Sequence, residues 1–248
     1  MEPTTPGIDV AQRVAAELVA RGARAVALVG SYASNTATSP YSDIDLYAIG
    51  AGPEYLLEVH DSTLVSISWR NVAGIQRSFI DPATALLAVP AWRSAIMLHD
   101  PSGVTEGIQS LARAWKWESI SAAADSWVAD SLTGYAEEVL RLGGAITRSR
   151  ESAAAVQRNV LALRLPKVVA VHLRLLPASE STLSDEVSEA MGAEWSAAQA
   201  TAFALGGESI GDSSRAAIHL FRLACVRVGG LLDERQAAVT TLALATVV

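Results

Sequence analysis

The chain has 248 residues, a formal net charge of −7, half of its residues hydrophobic and 6% aromatic. That length suits one large domain or two modest ones, and the acidic balance excludes a general nucleic-acid grip, which needs clustered Lys and Arg to displace counterions. A single cysteine, Cys225, excludes an intrachain disulfide and a Cys/His zinc centre.

Residues Ile8 to Arg21 carry Ile8, Ala11, Val14, Ala15, Leu18 and Val19 at helical spacing, and Gly22 is placed to end that helix. Ala25 to Val29 is a short apolar run closed by Gly30, the pattern of a buried strand. A loop rich in Ser, Thr and Asn is expected from Ser31 to Ser42, then a second strand from Asp43 to Ile49. Thr63 to Arg70 reads as a third strand, with Leu64, Ser66 and Ser68 on one face and Val65, Ile67 and Trp69 on the other. A fourth is expected at Ser94 to Leu98, before the turn sequence His99 to Gly103, where Asp100 organises the turn.

Beyond about Val104 the apolar period changes to that of helices, expected at 104–116, 119–143, 152–176, 183–192, 195–205 and 213–230. Pro166 is expected to kink or divide the third of these. The stretch from Asp233 is either a further helix or a tail. The fold class is therefore α+β: a head with a small mixed sheet flanked by helices over 1–118, followed by an all-α helical bundle over 119–248. The longest apolar stretches fall far short of the about 20 residues of a membrane span, and Met1 to Pro6 lacks the basic and apolar regions of a secretory signal. The expected setting is the cytoplasm, with no membrane and no nucleic acid among the partners and a homodimer left open.

Asp43 and Asp45 demand a physical explanation. Residues i and i+2 of a strand share a face, strands disfavour aspartate, and adjacent carboxylates repel unless a cation neutralises them. Hard oxygen donors of this kind suit Mg²⁺, which keeps several waters and takes one or two carboxylates together with substrate phosphates. Gly30-Ser31 ends the preceding strand. Glycine lets a ligand approach the backbone closely, turn N–H groups bind phosphate oxygens, and the Ser31 hydroxyl adds a donor.

The run Gly30-Ser31-Tyr32-Ala33, followed by Ser42-Asp43-Ile44-Asp45-Leu46, resembles the signature of the DNA polymerase β-like nucleotidyltransferases, and more narrowly the small bacterial antibiotic nucleotidyltransferases that act on aminoglycosides and lincosamides. Ile96 to Gly103 is similar to the strand and turn near the end of that family's catalytic domain. Tyr135-Ala136-Glu137-Glu138-Val139 resembles part of the first long helix of its helical domain, which in the family supplies a carboxylate base. The resemblance implies a nucleotidyltransferase head with Asp43 and Asp45 as catalytic Mg²⁺ ligands, Gly30, Ser31 and Ser42 binding a nucleoside triphosphate (ATP is expected), and Glu137 or Glu138 accepting the proton of a hydroxyl on a small-molecule acceptor.

Three departures accompany the match. Ser34 and Asn35 stand where many members carry an Arg-Gly pair, although Asn35 tolerates the left-handed conformation. The strand face that usually supplies a third carboxylate holds Ser66 and Ser68, and Asp61 reaches it only through a shift of register or a bulge. Glu137 and Glu138 equally suit an ordinary solvated helix face, with Arg141 as their ion-pair partner. These departures keep an alternative open: a diverged protein of this fold with lost or replaced catalysis, acting in small-molecule binding or in a biosynthetic pathway. Arg148, Arg150, Arg158 and Arg164 are expected to be solvated or paired with acids, His172 and His219 to be satisfied packing residues, Cys225 a small core residue, and Trp92, Trp115, Trp117 and Trp127 packing groups.

Overall fold

A computed structural model describes residues 6–35 and 41–247, so the centre of the expected polar loop lies outside the described residues. The chain divides into two compact units between Ser119 and Ile120. In the first, α1 (Pro6–Ala20) leads into β1 (Ala25–Val29) and the single turn α2 (Gly30–Ala33). β2 (Ile44–Ile49), β3 (Tyr55–His60) and β4 (Thr63–Arg70) follow, then α3 (Val72–Ile80), α4 (Pro82–Ser94), β5 (Ile96–His99) and α5 (Val104–Ala114). The strands form one mixed sheet in the order β3-β4-β2-β1-β5. Only β2 and β4 run parallel; the other neighbours are antiparallel.

Strand alternation gives this sheet two different faces. On one, Val26, Leu28, Ile44, Leu46, Ala48, Val65, Ile67 and Trp69 pack with Val10, Ala11, Val14, Ala15 and Leu18 of α1 in one buried cluster. Each fully buried side chain of this kind contributes roughly 1.5–3 kcal/mol against exposure, so the apolar face sets the register and leaves Asp45, Tyr47, Ser66 and Ser68 on the other side. Trp92 of α4 meets Tyr47 there, ring centroids 5.3 Å apart, so α4 covers part of the polar face.

Several elements differ from the sequence expectation. The strand expected from Asp43 starts at Ile44, and the loop expected from Ser31 begins with the α2 turn. β3 was not expected, because Tyr55, Leu57 and Val59 point to solvent from an edge strand and so give no inward apolar pattern. β3 joins β4 through Asp61-Ser62, both left-handed (φ 49° and 62°), as a two-residue hairpin turn demands. No element was expected over residues 71–93, where α3 and α4 form behind two readable caps. Asn71 Oδ1 accepts from the Gly74 N–H at 2.7 Å and Asp81 Oδ1 from the Ala83 N–H at 3.1 Å, with Pro82 in the first turn of α4.

The second unit is all helical: α6 (Ser121–Thr147), α7 (Glu151–His172), α8 (Leu183–Met191), α9 (Ala193–Ala202), α10 (Ile210–Val228) and α11 (Glu234–Thr246). α7 runs unbroken through Pro166, contrary to a division there. Pro166 is buried in a helix that packs against both α6 and α10, and that packing outweighs the lost backbone bond. The stretch after Asp233 is a helix with a reciprocal cap: Asp233 Oδ1 accepts from the Gln236 N–H at 2.7 Å, and Gln236 Oε1 accepts from the Asp233 N–H at 3.1 Å. Gln236 Nε2 also donates to Asp130 on α6 at 2.9 Å, tying α11 to that helix.

Candidate active site

Ladder pairing places Asp45 beside Val29 of β1 and Ser66 of β4, and Ser66 in turn beside Leu57 of β3. The next row on the same face runs Ala27, Tyr47, Ser68, Tyr55. Directly paired residues share a face, with Cβ atoms about 5 Å apart. Asp45 and Ser66 are therefore immediate neighbours at the end of β1 where Gly30 begins α2.

Gly30 has φ +71°, and a Cβ on it would stand 2.3 Å from Asp45 Oδ2. Only glycine admits that carboxylate so close to the β1–α2 turn. The α2 turn closes with the Ser34 N–H on the Gly30 carbonyl at 3.1 Å and Ser34 Oγ donating to the same oxygen at 3.1 Å. Asn35 then takes φ 58°, the left-handed conformation its side chain tolerates. Ser31 lies in α2, while Ser42 and Asp43 precede the first paired residue of β2.

Asp43 still acts on the site, although it stands outside the ladder. Burial and then the neighbouring Asp43 charge push the Asp45 carboxyl up from 3.8 to about 6, against a hydrogen bond from Ser66 that pulls it down. A second charged pair of groups surrounds Tyr47. Burial raises its phenol, the Arg70 guanidinium lowers it and Asp45 raises it, with burial the largest effect. Arg70 itself donates to the carbonyls of Glu54 at 2.8 Å and Trp69 at 3.0 Å. Sequence reasoning missed Tyr47 and Arg70, although the i+2 parity from Asp45 and from Ser66 and Ser68 marks both positions.

Asp61 does not supply a third carboxylate. The β2–β4 and β3–β4 registers are regular through Ser66, and Asp61 sits in the hairpin turn, where its exposed carboxylate pairs with Arg13 of α1. Among the described residues no three His, Cys, Asp or Glu side chains gather where they would hold a metal ion. The donor set of the first unit is thus two carboxylates beside a glycine turn. It fits a hard cation that completes its shell with water and phosphate oxygens, and not one that needs a closed protein cage.

Glu137 and Glu138 lie on α6 in the second unit. Arg141 Nη2 meets Glu137 Oε1 at 2.5 Å and Arg141 Nη1 meets Glu138 Oε1 at 3.0 Å, the helix-face pairing expected at i+4 and i+3. Arg158 donates to Ser213 Oγ at 3.0 Å. His219 is partly buried, and its Nε2 meets Glu194 Oε1 at 3.1 Å. His172 is only partly satisfied, because its Nδ1 is buried without a partner. Burial, then Arg227 and Arg174, lowers its pKa, which keeps the ring neutral. Burial raises the Cys225 thiol to about 12, which rules against a nucleophile. Trp115 packs within the first unit, its Nε1 donating to the Phe79 carbonyl at 2.8 Å and its ring meeting Trp117 edge-on at 5.0 Å. No helix among the described residues is long and apolar enough to cross a membrane.

No protein-family description matches the chain, and no curated protein matches it. A solved structure does. The crystal structure of a nucleotidyltransferase-like protein from Exiguobacterium sibiricum 255-15 superimposes with a TM-score of 0.55 at 12% identity, over 90% of this chain and 77% of that one. At that identity the likeness is one of fold, and the fold is nucleotidyltransferase-like.

Proposed function

We propose that this chain transfers a nucleoside monophosphate from a nucleoside triphosphate, with ATP the expected donor, to a hydroxyl of a small molecule such as an aminoglycoside- or lincosamide-like compound. The observation that carries the reading is the contact between Gly30 and Asp45: a glycine held left-handed so that a carboxylate can stand against the turn ahead of α2. Folding Asp45 beside Asp43 on a half-buried face costs stability, and a cation bound there relieves that cost.

In this reading Asp43 and Asp45 would hold Mg²⁺, which would supply neutralisation of the triphosphate charge. Gly30, Ser31 and Ser42 bind and orient the phosphates through backbone N–H groups and hydroxyls. The acceptor oxygen bonds to the α-phosphorus as its bond to the β-phosphate oxygen breaks, and pyrophosphate leaves. The hydroxyl proton passes to Glu137 or Glu138, a role that requires Arg141 to share or release that carboxylate.

A second reading has one observation in its favour. Ser66 stands beside Asp45 where a further acid would strengthen metal binding, so a chain that keeps the fold and binds a small molecule without turnover is the alternative. Incubation with Mg²⁺, radiolabelled ATP and a panel of hydroxylated acceptors separates the two. A nucleotidylated product with stoichiometric pyrophosphate supports transfer, and nucleotide binding without any product across the panel supports the alternative.

A further inference from the structure

We infer that Ser66 restricts the site to one divalent cation. The inference rests on the reading above, because it concerns the cation held by Asp43 and Asp45. Ser66 is directly paired with Asp45 across the parallel β2–β4 ladder and is 8% exposed. Asp45 and Ser66 therefore stand side by side on one face of the sheet.

Two dications held about 3.5–4 Å apart need anionic oxygens that bridge or flank both of them. Asp43 and Asp45 supply two carboxylates from β2 and its approach. The position paired with Asp45 on the neighbouring strand supplies a neutral hydroxyl. A hydroxyl in that role brings no charge to offset a second dication. Among the described residues of the first unit nothing nearby replaces it. Ser68, the next residue on that face, is also a neutral hydroxyl and pairs with Tyr47. Asp61 is held at the β3–β4 turn by Arg13 with φ 49°, and the regular ladder from Thr63 onward leaves no bulge to swing it round. The protein thus offers charge for one cation, whose remaining ligands are water and phosphate oxygens. Activation of the acceptor hydroxyl then falls to a side chain, since no second cation is present to bind it.

The test is a count of Mn²⁺ bound per chain, by electron paramagnetic resonance, with the whole protein saturated by a non-hydrolysable ATP analogue. Wild type and Asp61→Asn hold one ion each, and Ser66→Asp holds two. Two ions on the wild type overturn the inference and leave the proposed function standing. A folded Ser66→Asp chain that still holds one overturns the role given to Ser66. No ion on the wild type overturns the inference and the proposed function together.

Discussion

Gly30 and Asp45 stand so close that a Cβ on the glycine would lie 2.3 Å from the aspartate Oδ2, a separation no side chain tolerates. The glycine also has φ +71°, where L-residues are strained. Two independent demands, space and backbone conformation, therefore meet at one residue next to the candidate site. Gly30→Ala is expected to lower stability by about 1–2 kcal/mol, through the strained φ and the displaced carboxylate. Mg²⁺-dependent nucleotide affinity is expected to fall at least tenfold. Denaturant unfolding and calorimetry measure the two effects, and unchanged affinity in a folded variant contradicts the close-approach role.

Asp45 sets a pH dependence whose sign is opposite to that of a salt-bridged acid. Its carboxyl is raised from 3.8 to about 6, by burial first and the Asp43 charge second. Between those values the native chain holds a proton that the unfolded chain has lost, so stability from this group falls as pH rises from about 4 to about 6. A raised carboxyl costs about 1.4 kcal/mol per pH unit, and partial solvent access reduces the total to roughly 1–2 kcal/mol. Metal-free Asp45→Asn is expected to be more stable than wild type at pH 7 by that amount, to lose the difference near pH 4, and to lose Mg²⁺-dependent nucleotide binding. Urea midpoints at both pH values check it; a less stable variant at pH 7 contradicts it.

Asp100 behaves in the opposite sense. Burial alone would raise its carboxyl, but hydrogen bonds from Thr105 Oγ1 at 2.6 Å and from the N–H groups of Glu106, Val104 and Thr105 at 2.8–2.9 Å hold it below its ordinary value. This single carboxylate caps the start of α5. The stabilisation is complete above the unfolded carboxyl range and disappears as pH falls through the lowered native value. Asp100→Ala is expected to cost about 2 kcal/mol at pH 7. A guanidinium series at pH 7 measures it, and a cost under about 0.5 kcal/mol contradicts the capping role.

Much of this was legible in the sequence for physical reasons that can be named. α1, β1 and the parity of β4 follow from apolar residues that face one core. Asp45 stands out because a carboxylate opposes the strand it occupies, with Asp43 just ahead of that strand, and Gly30 because it ends a buried strand. β3 was silent because its large apolar side chains point outward from the sheet edge. α3 and α4 announce themselves through Asn71 and Asp81 rather than through period, and Pro90 obscures the second helix. The division allowed at Pro166 did not occur because buried packing overrides the local propensity. Tyr47 and Arg70 were missed because a tyrosine and an arginine in strands carry no chemical signal until the register sets them on the Asp45 face.

The central claim is that Asp43 and Asp45 form a cation-dependent nucleotide site against the Gly30 turn. Isothermal titration of a non-hydrolysable ATP analogue, with Mg²⁺ and with chelator, into wild type and Asp43→Asn tests it most directly. Wild type is expected to bind only with Mg²⁺, and Asp43→Asn to bind at least tenfold more weakly. Absence of nucleotide binding in Mg²⁺, or equal binding by the two proteins, contradicts it.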